Sequence, residues 1–367
     1  MNKPKVIAFY LPQYHPTPDN DKWWGKGFTE WTNVGKAKPL FPGHYQPKVP
    51  ADLGYYDLRL PEVREAQAEL AREAGIYGFC YYHYWFGNGK EELELPFNEV
   101  LRLGKPDFPF MLCWANESWH KKFWDKDGKG SSKEMLIEQR YPGDEDIEKH
   151  FYHLLPAFRD PRYIRINDKP AFMIYKPQQY SEVAHFIARW QELANQNGIH
   201  GIHFIGHMQE NLNKATVETL LSYGFSALNT VGLYEARNRI LTKYSYWKTR
   251  ILHNLLGYPV REDYIKICEK TISDIDHIPI VYPSILPNWD HTPRSGNNGW
   301  VLTGSSPKAF KSFARKVLSL KNIDGTAQPI VFLKSWNEWG EGNYMEPDLK
   351  FSKGFIKALR EVLDEIE

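Results

Sequence analysis

Hydrophobic and polar positions along the chain follow two periods. Runs of apolar, β-branched or aromatic residues bounded by Pro, Gly or Asn predict strands at 6–11, 77–84, 110–115, 171–175, 202–207, 226–231, 278–285 and 330–335. Most are unbroken rather than alternating, the pattern of strands buried on both faces of a parallel sheet. Between them, three- and four-residue spacing predicts helices over 61–74, 144–158, 182–197, 213–223, 262–275, 307–320 and 351–366. The first has Pro61 in its opening turn, places Val63, Ala66, Leu70 and Ala74 on one face, and stops at Gly75.

About eight strands alternate with helices from end to end, with no internal repeat and no low-complexity linker. The pattern predicts an α/β protein: a single (β/α)8 TIM barrel with long βα loops, one catalytic domain over 1–367. A basic insertion is expected at about 235–262, where Arg237, Arg239, Lys243, Lys248, Arg250 and Arg261 gather with Tyr244, Tyr246 and Trp247. A doubly wound open sheet is the alternative fold.

Composition narrows the function. With 46 Lys and Arg against 45 Asp and Glu, the net charge of +1 gives no reason to expect nucleic acid as a partner. No apolar run approaches the roughly 20 residues of a spanning helix, and the N-terminus lacks a signal-peptide pattern. The three cysteines have neither disulfide nor ligand spacing, so no metal and no cofactor is expected, and the compartment is read as cytoplasmic. The excess is aromatic: 13 Trp, 22 Tyr and 20 Phe, many beside Asn, Glu, His and Gln. Sugars present C–H faces that stack on rings and hydroxyls that need oriented partners, so this mixture suits an oligosaccharide or polysaccharide substrate.

In a barrel, chemistry belongs on the loops beyond the C-terminal ends of the strands. There the sequence places Tyr10 and Trp31, then His83 and Tyr84, then Trp114, Asn116 and Glu117, then Trp289, Asp290 and Arg294, and finally Trp336, Asn337, Trp339 and Glu346. All are candidate substrate ligands. Glu338 and Glu341, three apart among tryptophans and glycines, are candidate paired carboxylates. Glycosidic cleavage needs one carboxyl protonated for the leaving oxygen and one charged, and apolar rings raise the first by desolvation.

The stretch Ser335-Trp336-Asn337-Glu338-Trp339-Gly340-Glu341-Gly342-Asn343-Tyr344-Met345-Glu346-Pro347 resembles the eighth-strand motif of glycoside hydrolase family 99, the endo-acting α-mannosidases and α-mannanases. Tyr10-Leu11-Pro12-Gln13 and Trp23 through Val34 resemble more closely the WbsX-like proteins of bacterial O-antigen and capsule clusters, commonly described as glycosyltransferases. The segments 77–86, 113–117 and 289–294 extend the resemblance over nearly the whole chain. It implies a metal-free (β/α)8 enzyme with Glu338 as base and Glu341 as general acid. It also implies a retaining mechanism in which the sugar's own 2-hydroxyl closes on the anomeric carbon as a 1,2-anhydro sugar. Where the family 99 loop carries His before the second Glu, this chain has Gly340, which removes a subsite side chain.

A hydrolase acting on bacterial surface polysaccharide is therefore the leading expectation. A glycosyltransferase and a noncatalytic sugar-binding protein are the alternatives. Asp125-Lys126-Asp127 and Asp274-Ile275-Asp276 are acid-x-acid triplets that a metal-dependent transferase could use. The basic insertion could approach a membrane or a lipid-linked glycan, placing the protein at the periphery of the inner membrane.

Overall fold

The computed structural model describes residues 4–121, 134–320 and 329–366. Eight strands form a closed parallel barrel: β1 (Lys5–Tyr10), β2 (Gly78–Trp85), β3 (Phe110–Trp114), β4 (Lys169–Ile174), β5 (His203–Met208), β6 (Ala227–Thr230), β7 (Val281–Ile285) and β8 (Ile330–Leu333). Closure is explicit in the register, since β1 pairs with β8 from Lys5 opposite Ile330 and with β2 from Ile7 opposite Gly78. The (β/α)8 expectation is met, and the open sheet is excluded because β1 has a partner on each side.

Two short helices, α1 (Pro18–Trp24) and α2 (Glu30–Lys36), fill the loop after β1 before α3 (Pro61–Ala74). The helices that follow are α4 (Leu95–Leu103), α5 (Asp144–Arg159), α6 (Val183–Gln196) and α7 (Lys214–Ser222). Of these α4 was not foreseen: it is only nine residues long, with Pro in its first turn and Gly104 in left-handed geometry at its end. After β6 come α8 (Leu233–Ile240), α9 (Lys243–Leu256) and α10 (Tyr264–Thr271), then α11 (Thr292–Ser295), α12 (Pro307–Leu320) and α13 (Gly354–Glu365).

The basic insertion is thus the α8 and α9 pair on the rim after β6, followed by a strand at Val260–Asp263 that pairs with Trp300–Thr303. Several of its cations are engaged in packing. Arg237 lies over Trp300, Arg261 over Phe41 and Tyr258, and Arg239 pairs with Glu235. No helix among the described residues is long and apolar enough to cross a membrane. Strand parity decides what faces the barrel axis: Phe9 meets Tyr82, His207 and Phe332 at ring separations of 5.4–5.8 Å in the interior. Their sequence neighbours Tyr10, Tyr81 and His83 face the helices instead.

Candidate active site

The chain leaving β8 folds into a small antiparallel pair, Asn337–Glu338 with Asn343–Tyr344, around one tight turn at Trp339–Glu341. Asn337 ties it to the other end of the sequence: its Oδ1 accepts from the Leu11 amide at 2.7 Å and its Nδ2 donates to the Leu11 carbonyl at 3.0 Å. Ser335 Oγ accepts from the Glu338 amide at 3.1 Å. Gly342 closes the turn at φ 60°, the left-handed region where a side chain is strained.

Gly340 is needed for a different reason. Its backbone lies outside the left-handed region, but an added Cβ would stand 1.6 Å from Glu30 Oε1 and 3.0 Å from Arg294 Nε. The space a side chain would take is filled by a buried ion cluster. Glu30, at the start of α2, grips the Arg294 guanidinium with both oxygens at 2.9 and 3.0 Å, and Arg294 Nη1 donates to Glu341 Oε1 at 2.6 Å.

This cluster separates the two glutamates. Burial pushes the Glu338 carboxyl well above the ordinary carboxylate range; Lys334, at 3.7 Å, works against this, and the neighbouring Glu341 adds to it. Burial acts on Glu341 in the same direction, but Arg294, Lys334 and His291 outweigh it and hold Glu341 well below the ordinary range. Burial and the surrounding charges therefore push the two carboxyls in opposite directions, Glu338 up and Glu341 down, as one interacting pair. Among the described residues Glu338 Oε2 has no hydrogen-bond partner, although the Lys334 ammonium lies 3.7 Å from it.

Two cavities meet at Glu341, and Glu338 lines the first of them. The first, about 280 Å³, is walled by Tyr82, Tyr84, Glu117, Tyr175, Arg294, Lys334 and both glutamates, with Trp24, Phe28 and Trp119 among its rings. The second, about 270 Å³, shares Glu117, Tyr175, Lys334 and Glu341 and adds Lys176, Gln209, Tyr234 and Trp289.

Of the predicted ligands, Tyr84, Glu117, Trp289 and Arg294 line these cavities with Glu338 and Glu341. The others do not. Tyr10 faces α3 and donates to Gln67 at 2.6 Å. His83 turns to α5, where its Nε2 lies 2.8 Å from His150 Nε2, and burial lowers it to about 4. Trp114 packs on His150 and Phe186 behind the wall. These three are corrected by strand parity: each sits at a strand end, but on the outer face.

Trp31 stacks among Tyr14, Tyr56 and Trp339, and Trp336 on Phe79, as supports for the loop. Trp339 stacks on Tyr344 at 3.7 Å and donates to Glu346 at 2.6 Å. Glu346 also accepts from Gln67 and Tyr56 at 2.6 and 2.8 Å, so it is a structural hub, and Asn337 is a clamp. Asn116 braces the backbone of Lys176 through bonds of 2.7 and 3.0 Å. Asp290 is fully occupied by His44, Gln46 and Thr292, facing a separate small cavity, and makes no contact with Arg294.

Glu30, Tyr82, Tyr175, Lys176, Gln209 and Lys334 were not singled out by sequence. Glu30 alone gave a signal, as the acid within Phe28-Thr29-Glu30-Trp31. Of the acid-x-acid triplets, Asp276 accepts from Ser273 and Thr230 as a cap, while 125–127 lies outside the described residues. No group of three metal-ligating side chains occurs among the described residues.

The fold is shared with solved glycoside hydrolases. The GH99 endo-alpha-mannosidase from Bacteroides thetaiotaomicron superimposes with a TM-score of 0.59 at 14% identity, covering 99% of this chain and 97% of that one. A protein described as glycoside hydrolase-like gives 0.62 at 15%, covering 99% and 94%. An uncharacterized protein WxcX from Xanthomonas campestris pv. campestris is 34% identical over 98% of this chain. The chain spans about half the length of the curated relatives it matches, 49%. The family model described as Glycosyltransferase WbsX matches residues 6–359, nearly end to end, and the chain belongs to that family.

Proposed function

We propose that the protein acts on glycosidic bonds in oligosaccharides of bacterial surface polysaccharides, with Glu338 and Glu341 as its paired carboxylates. The observation that carries this reading is a pair of carboxyls, Glu338 buried and Glu341 half-buried, pushed in opposite directions by their surroundings where two ring-lined cavities meet. Glu338 gives its proton to the glycosidic oxygen as the bond from the anomeric carbon breaks and its electron pair stays with that oxygen. Glu341 takes the proton of the attacking hydroxyl, whose lone pair forms the new bond to the anomeric carbon. Attack by water gives hydrolysis directly; attack by the sugar's own 2-hydroxyl gives a 1,2-anhydro sugar, which a water then opens at the anomeric carbon while O2 regains a proton, with the same net outcome. With a sugar hydroxyl seated in the second cavity it is transfer, the reading that the family's description favours. Cavities on both sides of the pair suit cleavage within a chain.

The test is mass spectrometry of O-antigen and mannan oligosaccharides incubated with wild type, Glu338→Gln and Glu341→Gln, with nucleotide-sugar consumption in parallel. Shortening by wild type alone supports hydrolysis. Aryl glycosides with a good leaving group need no proton, so Glu338→Gln is expected to keep activity on them while Glu341→Gln loses it. The opposite pattern restores the roles implied by the family 99 resemblance. Consumption of a nucleotide sugar with no cleavage establishes transfer.

A further inference from the structure

The second cavity differs from the first in its charges. Lys176, after β4, has no carboxylate partner among the described residues: its ammonium donates to the neutral Gln209 Oε1 at 2.7 Å and lies 5.4 Å from the Tyr175 ring centroid. Gln209 is itself fixed, since its Nε2 donates to the Tyr175 hydroxyl at 2.5 Å, and Asn116 holds the Lys176 backbone on both sides. The ammonium is therefore placed by an ordered chain of hydrogen bonds on the cavity wall.

Trp289 supplies a second, independent observation. It is 4% exposed, it lines the same cavity, and among the described residues its indole N–H has no hydrogen-bond partner. A buried donor left unpaired costs free energy, which a ligand acceptor recovers.

Other charges facing this space are Lys334, Glu117 and Glu341. Glu341 is neutralised by Arg294, and Glu117 stands at the boundary shared with the first cavity. Away from that boundary Lys176 is the one charged side chain among the described lining residues. The cavity is flanked by α8, whose Tyr234 lines it and feels Lys334 and Arg237 on one side of the balance and Glu341 and Glu210 on the other.

We propose that the second cavity is a subsite for a sugar bearing an anionic substituent, a carboxylate or a phosphate, with Lys176 as counter-ion and Trp289 as hydrogen-bond donor. A free anion attracts the ammonium without having to displace a carboxylate already bound to it. Electrostatic pairing in this partly enclosed space gives selectivity over neutral sugars that hydroxyl contacts alone do not. The inference rests on the glycosidic reading of the carboxylate pair and names the class of glycan it takes.

Calorimetric binding to the Glu338→Gln protein tests it without turnover. The probes are hexose tetrasaccharides, each with a counterpart carrying one uronate and a counterpart carrying one phosphate ester. The anionic forms are expected to bind at least about tenfold tighter, an advantage that shrinks with added salt and disappears when Lys176→Gln is introduced. Trp289→Phe, which keeps the ring and removes the N–H, is expected to weaken anionic binding several-fold. Preference for the uronate over the phosphate, or the reverse, identifies the source of the charge. Equal binding of neutral and anionic probes, or an advantage that survives Lys176→Gln, overturns the subsite and leaves the glycosidic reading standing. Binding of none of the probes overturns both.

Discussion

Two glutamates on the loop after β8, Glu338 and Glu346, are both buried and both raised above the ordinary carboxylate range, yet they are built for opposite ends. Glu346, pushed up to about 7 by burial, is met by three donors, from Trp339, Gln67 and Tyr56. Glu338 lines a cavity, one of its oxygens without a hydrogen bond among the described residues and only the Lys334 ammonium 3.7 Å away, beside a carboxylate held charged by Arg294. A raised carboxyl is thus no sign of chemistry by itself. What separates a structural acid from a reactive one is unspent hydrogen-bonding capacity turned toward a space a substrate can enter.

The sharpest way to break the comparison is to neutralise each acid. Glu338→Gln and Glu341→Gln are expected to lower kcat/KM on an unactivated glycoside by roughly 10³-fold or more with little change in Tm. In wild type, activity is expected to fall as pH rises through the raised value of Glu338, because the donor loses its proton.

Glu346→Ala strips the acceptor from three buried donors and is expected to destabilise the fold by about 2–4 kcal/mol, read as a drop in denaturation midpoint, while the folded fraction keeps its kcat. Glu346 also sets a pH signature. Its folded value of about 7 lies above the 4.5 of a free carboxyl, so the native state holds a proton that the unfolded chain has lost. Its contribution is present below pH 4.5 and lost as pH rises toward 7, worth up to about 3 kcal/mol, and this slope should vanish in Glu346→Gln.

A smaller effect is expected from Gly340→Ala, whose Cβ forces Glu30 off Arg294; a loss of about ten- to a hundredfold in kcat with an altered pH profile would be measured by steady-state kinetics. The smallest belongs to His83→Gln. Because His83 contacts His150 rather than either cavity, kcat/KM should change by no more than about twofold.

The barrel was legible because its strands are continuous apolar runs, and parity inside such a run is what stayed hidden. Tyr10, His83 and Trp114 stand at the right ends of the right strands, one residue out of phase with the interior set by Phe9 and Tyr82. No composition rule assigns that phase when both faces of a strand are apolar. Glu338 and Glu341 were legible because their context is local, with rings and glycines contiguous in sequence. Lys176 and Gln209 were not, since an isolated Lys and Gln on separate loops acquire meaning only when β4 and β5 bring them together. The short α4 escaped for want of enough turns to show a period.

The bond pair between Asn337 and the Leu11 backbone spans 326 residues, and the Glu30 to Arg294 grip spans 264. Residues far apart in sequence supply what each other lacks, so the acid pair is assembled only once β8 has docked between β7 and β1. Competence arrives with ring closure.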